Sequence, residues 1–101
     1  MNPKDPDYIF AHKIYVAIEE YDKLGADDFM TEYGFGKATT YALELDGKQY
    51  PPKAIYGLAW ELQNPGKKFM QTDSGKRRTF GKPQIDRILK ICPSIKLVKL
   101  K

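Results

Sequence analysis

Residues 33–60 read YGFGKATTYALELDGKQYPPKAIYGLAW, and this stretch decides the fold. Tyr41, Leu43 and Leu45 alternate with Ala42 and Glu44, the period of a half-buried strand. Asp46-Gly47 is the strongest short hairpin signal in the chain, and Lys48-Gln49-Tyr50 is the short return strand. Pro51-Pro52 then stops the ladder and starts a helix, since proline is tolerated in a first helical turn. Ala54, Ile55, Leu58, Ala59 and Leu62 share one stripe of that helix, which marks it as the centre of the core.

On the N-terminal side, Asp7 can cap a first helix that runs to about Leu24 and stops at Gly25. Its apolar face is Phe10, Ile14, Ala17, Ile18 and Tyr21. A second short helix spans Ala26 to Tyr33, with Phe29 and Met30 inward and Gly34 as its end, and Phe35-Gly36 is a turn. On the C-terminal side, Asn64-Pro65-Gly66 ends the central helix. Residues 66–83, GKKFMQTDSGKRRTFGKP, have no clean period and read as a long functional or loosely ordered loop. Pro83 opens a last helix to about Ile91, with Ile85, Ile88 and Leu89 inside. Pro93-Ser94 breaks it, and Ile95 to Leu100 is a final strand whose inward face the lysines at 96, 99 and 101 leave ambiguous. The expected architecture is a single small α+β domain over residues 1–101, in the order α-α-β-β-α-loop-α-β, with a short antiparallel sheet packed on helices.

Charge changes sign along the chain. Residues 1–50 carry five Lys and no Arg against ten Asp and Glu, whereas residues 51–101 carry nine Lys and three Arg against three acids. A net charge of +4 therefore hides an acidic half and a basic half, and the basic half needs a partner to explain it. Other classes recede. There is no run of about 18 apolar residues to span a membrane, and the N-terminus lacks the layout of a signal peptide. A single cysteine, Cys92, excludes an internal disulfide and suits a cytoplasmic location. One His and one Cys cannot build a closed zinc site, no phosphate-binding glycine motif is present, and no cofactor is expected. His12 reads as a helix-surface residue, and Cys92, following Ile85, Ile88 and Leu89 at helical spacing, as a small buried hydrophobe.

Three features break local rules, and such breaks tend to mark functional or strained sites. Lys53 sits in the first turn of the central helix, against the helix dipole. It reads either as a stem covering apolar surface or as a phosphate contact beside free backbone amides. Gly57 interrupts a strong helix at a cost of roughly 1 kcal/mol, which points to a close approach, by packing more readily than by a ligand. Tyr56 and Trp60 flank the core stripe, as core margin or, less favoured, as a base-stacking platform. Finally, Lys67, Lys68, Lys76, Arg77, Arg78 and Lys82 interleave with Phe69 and Phe80. A basic run is usually a solvated face; with aromatics and an acidic opposite half it fits a phosphate-contacting surface. Lys37, Thr39 and Thr40 in the turn before the hairpin can extend it with a cation and hydroxyl donors.

The residues YDKLG (21–25), Phe29, YGFGKATTY (33–41), LDGKQYPPKAIYGLA (45–59), SG (74–75), Thr79 and IL (88–89) together resemble one family. It is the N-terminal head domain of ScoMcrA-like, McrA-type HNH restriction endonucleases, which act on modified DNA. The resemblance covers roughly residues 20–90, and its specific part is the block from YGFG to KAI. Matched positions are Gly34, Phe35, Gly36, Tyr41, Gly47, Tyr50, Lys53, Ala54, Ile55 and Gly57, of which only Lys53 has an obvious chemical handle. The resemblance implies an accessory module, with cleavage and modified-base or sulfur recognition residing in other domains. Two departures stand out: Lys76 replaces the second glycine expected after Ser74-Gly75, and the sequence ends at Lys101, as an excised head domain or a stand-alone relative would.

The expected function is a non-catalytic, DNA-binding accessory module of a restriction or defence system, with DNA, modified or unmodified, as partner. Phosphates would be held by Lys53, Lys76, Arg77, Arg78 and Lys82, with Lys37, Thr39, Thr40 and Lys68 around them. The alternative is a protein-interaction module, a dimerisation head or a small inhibitor, motivated by the charge asymmetry. A nuclease reading is weak because Glu61, Asp73 and Asp86 are scattered.

Overall fold

Pro51 closes the hairpin and opens the central helix. Its backbone is extended (φ −73°, ψ 121°), and its carbonyl accepts a 3.1 Å hydrogen bond from Ile55 N as the helix begins. The computed structural model describes residues 8–33, 40–69 and 80–100. Helices α1 (Ala11–Leu24) and α2 (Ala26–Tyr33) come first, followed by strands β1 (Tyr41–Leu45) and β2 (Lys48–Tyr50). Helix α3 (Pro52–Gln63), helix α4 (Lys82–Ile91) and strand β3 (Lys96–Lys99) complete the order. This is the α+β order read from the sequence.

The sheet runs β2-β1-β3, and both pairings are antiparallel. Asp46 and Gly47 both take positive φ, 52° and 81°. Positive φ at both central positions is what a tight hairpin turn matched to strand twist requires. The register settles the face of β3: Leu97 lies opposite Leu43, which in turn faces Tyr50. Leu43 is fully buried and Tyr50 nearly so, so this face of the sheet joins the core. Ala42, on the other face of β1, is buried as well. The sheet is therefore covered on part of its second side, which the simple alternation read from β1 did not anticipate. Lysines at both ends of β3 are exposed, a common way to blunt a sheet edge.

Helix α3 is more than the one-striped helix expected. Pro52 and every residue from Ala54 to Trp60 are buried, so apart from the exposed Lys53 its first two turns are enclosed, as in a central core helix. α1 packs along it through Ile14, Ala17 and Ile18, and Phe29 of α2 and Ile88 of α4 join the same core. Burying one such side chain contributes about 1.5–3 kcal/mol. Leu62 departs from the expected stripe and stays 36% exposed. Its neighbours in the last turn are engaged instead: Glu61 accepts a bond from Phe69 N at 3.1 Å, and Asn64 donates to the Trp60 carbonyl.

The start of the first helix is also corrected. Asp7, the expected cap, lies outside the described residues. α1 begins at Ala11, and Phe10 precedes it in extended conformation (φ −87°, ψ 141°) with 39% of its surface exposed. Phe10 therefore does not lie on the helix's apolar face. The physical reason is tertiary. The Gln63 amide at the end of α3 accepts a hydrogen bond from Phe10 N at 3.0 Å and donates one to the Tyr8 carbonyl. Those two backbone groups are thereby held extended against α3, while Ile9 between them is fully buried.

Candidate nucleic-acid interface

Among the described residues, the predicted phosphate-contacting cations fall in three places. Lys53 is exposed in the first turn of α3, a helix whose first turn contains no acid and whose start has no side-chain cap. Its helix end is therefore electropositive twice over, from the unsatisfied amides and from the ammonium. Lys68 is exposed just after α3, 4.0 Å from the largely buried carboxylate of Glu61. Lys82 is exposed at the start of α4 and forms a 2.7 Å ion pair with Asp86 one turn on, which holds its ammonium above the ordinary lysine pKa. Thr40 is exposed just before β1, where its carbonyl accepts from Leu100 N at 2.8 Å. Lys37, Thr39, Lys76, Arg77 and Arg78 lie outside the described residues.

The aromatic residues among these cations belong to the interior. Phe69 is 2% exposed, with its ring centroid 5.8 Å from Tyr56 and 5.9 Å from Trp60, both edge-on. Phe80 is half-buried, 5.5 Å from the same Tyr56. The reading of Phe69 and Phe80 as surface aromatics is thus overturned for Phe69 and reduced for Phe80, because burying these rings on α3 outweighs leaving them in water. Tyr56 and Trp60 are equally buried, at 3% and 2%, which answers the base-stacking alternative with core.

This aromatic cluster nevertheless neighbours the described basic residues along the chain. Phe69 and Phe80 bracket residues 70–79, and both pack against one ring. Lys68 and Lys82 lie within two residues of those brackets, and Lys53 lies three residues before Tyr56 on the same helix. Arg87 of α4 donates to the Tyr56 hydroxyl at 2.9 Å, tying α4 to the cluster. Sequence reasoning missed this bond, since the partners are 31 residues apart and no local pattern connects them.

A family model described as ScoMcrA-like, N-terminal head domain, matches residues 7–90. The chain belongs to this family of head domains. No match was found among curated proteins or among solved structures. Within the head domain, the matched motif is mainly a folding motif. Gly47 supplies the left-handed turn, Ala54 and Ile55 are fully buried, Gly57 is buried, and Tyr50 is buried with its hydroxyl on Asp22. Lys53 stands apart among the described motif positions as an exposed charge. No group of three or more His, Cys, Asp or Glu among the described residues of the head domain is arranged to hold a metal ion. No helix among them is long and apolar enough to cross a membrane. Cys92 is fully buried, and burial pushes its thiol pKa up despite a hydrogen bond from Tyr15 that acts the other way.

Proposed function

We propose that this head domain is a non-catalytic, DNA-contacting accessory module of a cytoplasmic restriction or defence protein, folded as one unit, and that it grips the phosphate backbone through its basic half. The observation that carries the reading is the charge asymmetry: twelve Lys and Arg against three Asp and Glu in residues 51–101, in a family of McrA-like head domains. Binding of this kind depends on the release of counterions from phosphates and needs no base-specific group.

The cations are unequal in this reading. Lys53 contributes most among the described residues, since it stands at an electropositive helix start. Lys82 contributes less, because Asp86 offsets its charge, and Lys68 is partly offset by Glu61. Arg77 and Arg78 bring fork-shaped donors suited to phosphate, and Lys76, Lys37, Thr39 and Thr40 extend the surface.

The test is binding to a fluorescent duplex of about 20 base pairs across a salt series, with modified and unmodified DNA. The expected result is weak binding with a steep log–log salt dependence that flattens when Arg77 and Arg78 are both changed to Glu. No binding at low salt, or binding unchanged by the double reversal, overturns the reading.

A further inference from the structure

Helices α1 and α2 and the sheet bound a cleft of about 190 Å³. That is smaller than the ~300–1,000 Å³ of sites for drug-sized ligands, and suited to a single side chain. Its lining divides into two chemistries. Met30, Ala42, Pro51 and Leu100 form an aliphatic part, continuous with the covered second face of β1. The rings of Tyr21 and Tyr50 form the other part, 5.2 Å apart and nearly perpendicular at 75°, with Asp27 also in the lining.

The α1–α2 wall of this cleft is rich in acids. Residues 19–32 hold six acids and one lysine. Burial raises the Tyr21 pKa first, and the charges of Asp22 and Asp27 raise it further, so both carboxylates act on this ring. The negative end of the α1 dipole and the positive end of α2, which starts at Ala26 in the cleft wall, oppose each other here, so the carboxylates decide the sign. A phosphate is repelled here, so the cleft lies outside the proposed DNA surface. An occupant with an aliphatic stem and a positive end satisfies both halves of the lining. The two tyrosine rings are in edge-to-face contact and leave no gap between them, so the positive end meets the carboxylate of Asp27 at the margin of the pair.

We propose that this cleft is a binding site for a lysine side chain presented by a partner protein, with its methylenes on Met30, Ala42, Pro51 and Leu100 and its ammonium on Asp27 beside the tyrosine pair. The head domain then has two separate faces, one for nucleic acid and one for protein, and either can fail experimentally without the other.

The experiment is a titration of the intact protein with Nα-acetyl-lysine N-methylamide, followed by NMR of the Met30 and Ala42 methyl groups. The norleucine analogue, which has the stem without the ammonium, serves as the control. The expected result is saturable shifts at those methyls, with binding several-fold weaker for norleucine. Asp27→Asn, at an exposed residue, should erase that difference. Ala26→Leu, also exposed and at the cleft wall, should weaken both ligands. Equal binding of lysine and norleucine analogues, or no shift at either methyl, overturns the proposal. Tighter binding of the arginine analogue or of free spermidine also overturns it, by assigning the cleft to a different cation.

Discussion

Tyr50 is buried to 3% exposure, yet its hydroxyl reaches both carboxylate oxygens of Asp22, at 2.9 and 3.0 Å. Asp22 sits in the last turn of α1, where a negative charge opposes the helix dipole, and the bond to Tyr50 offsets that misplacement. Burial, followed by this hydrogen bond and the Asp22 and Asp46 charges, pushes the Tyr50 pKa up to about 12. A tyrosine with a raised folded pKa keeps its proton longer in the native state than in the unfolded chain. Its contribution is complete below pH 10 and is lost as pH rises toward 12. Tyr50→Phe should therefore cost about 1–2 kcal/mol at pH 7 and make the decline of stability above pH 10 shallower. Urea unfolding at pH 7 and at several points between pH 10 and 12 checks both effects. Tyr21, whose pKa is also raised, leaves part of the alkaline slope in place.

At the scale of elements, α3 is the part on which the others converge. α1, α2, α4 and the sheet all contact it, and the rings of Phe69 and Phe80 close over its Tyr56. Phe69→Ala should lose about 3–5 kcal/mol, lowering the melting temperature by roughly 4–8 °C per kcal/mol for a domain of this size. Calorimetry measures it. Phe69→Leu keeps most of the apolar volume and should leave DNA affinity unchanged, because the ring faces Trp60 and Tyr56 rather than solvent. A large loss of DNA affinity in a folded Phe69→Leu protein would return that ring to the binding surface.

For the whole molecule, the distribution of charge matters more than its total. In the proposed DNA contact, a net +4 gives modest long-range attraction, whereas cations concentrated in residues 51–101 and acids in residues 1–50 orient the approach. Orientation makes the effects of single charges unequal. Lys53→Glu should weaken duplex binding more than Lys82→Glu, since the latter removes a cation already paired with Asp86 while leaving that carboxylate behind. Fluorescence anisotropy at two salt concentrations ranks them, and equal effects would show that the α3 start has no special part in the contact.

Much of this protein was set by the sequence alone, through short-range chemistry. Asp46-Gly47, Pro51-Pro52 and the glycines at 25 and 66 place turns and helix ends by backbone preference, and the spacing of Ile14, Ala17 and Ile18 or of Ala54, Ile55 and Leu58 orients helices whatever lies beyond them. The order of elements, the hairpin and the charge asymmetry follow from these local features. Only the tertiary structure decided which side chains were drawn inside and which charges were paired. Gln63 and Tyr8 are 55 residues apart and Tyr50 and Asp22 are 28 apart; their bonds hold Phe10 outside α1 and turn an acid at the wrong helix end into a partner. Phe69, adjacent to lysines in sequence, belongs to the core because α3 presents Tyr56 and Trp60 where it lands. Contacts at such separations depend on the closed fold as a whole, and no window of neighbouring residues contains them.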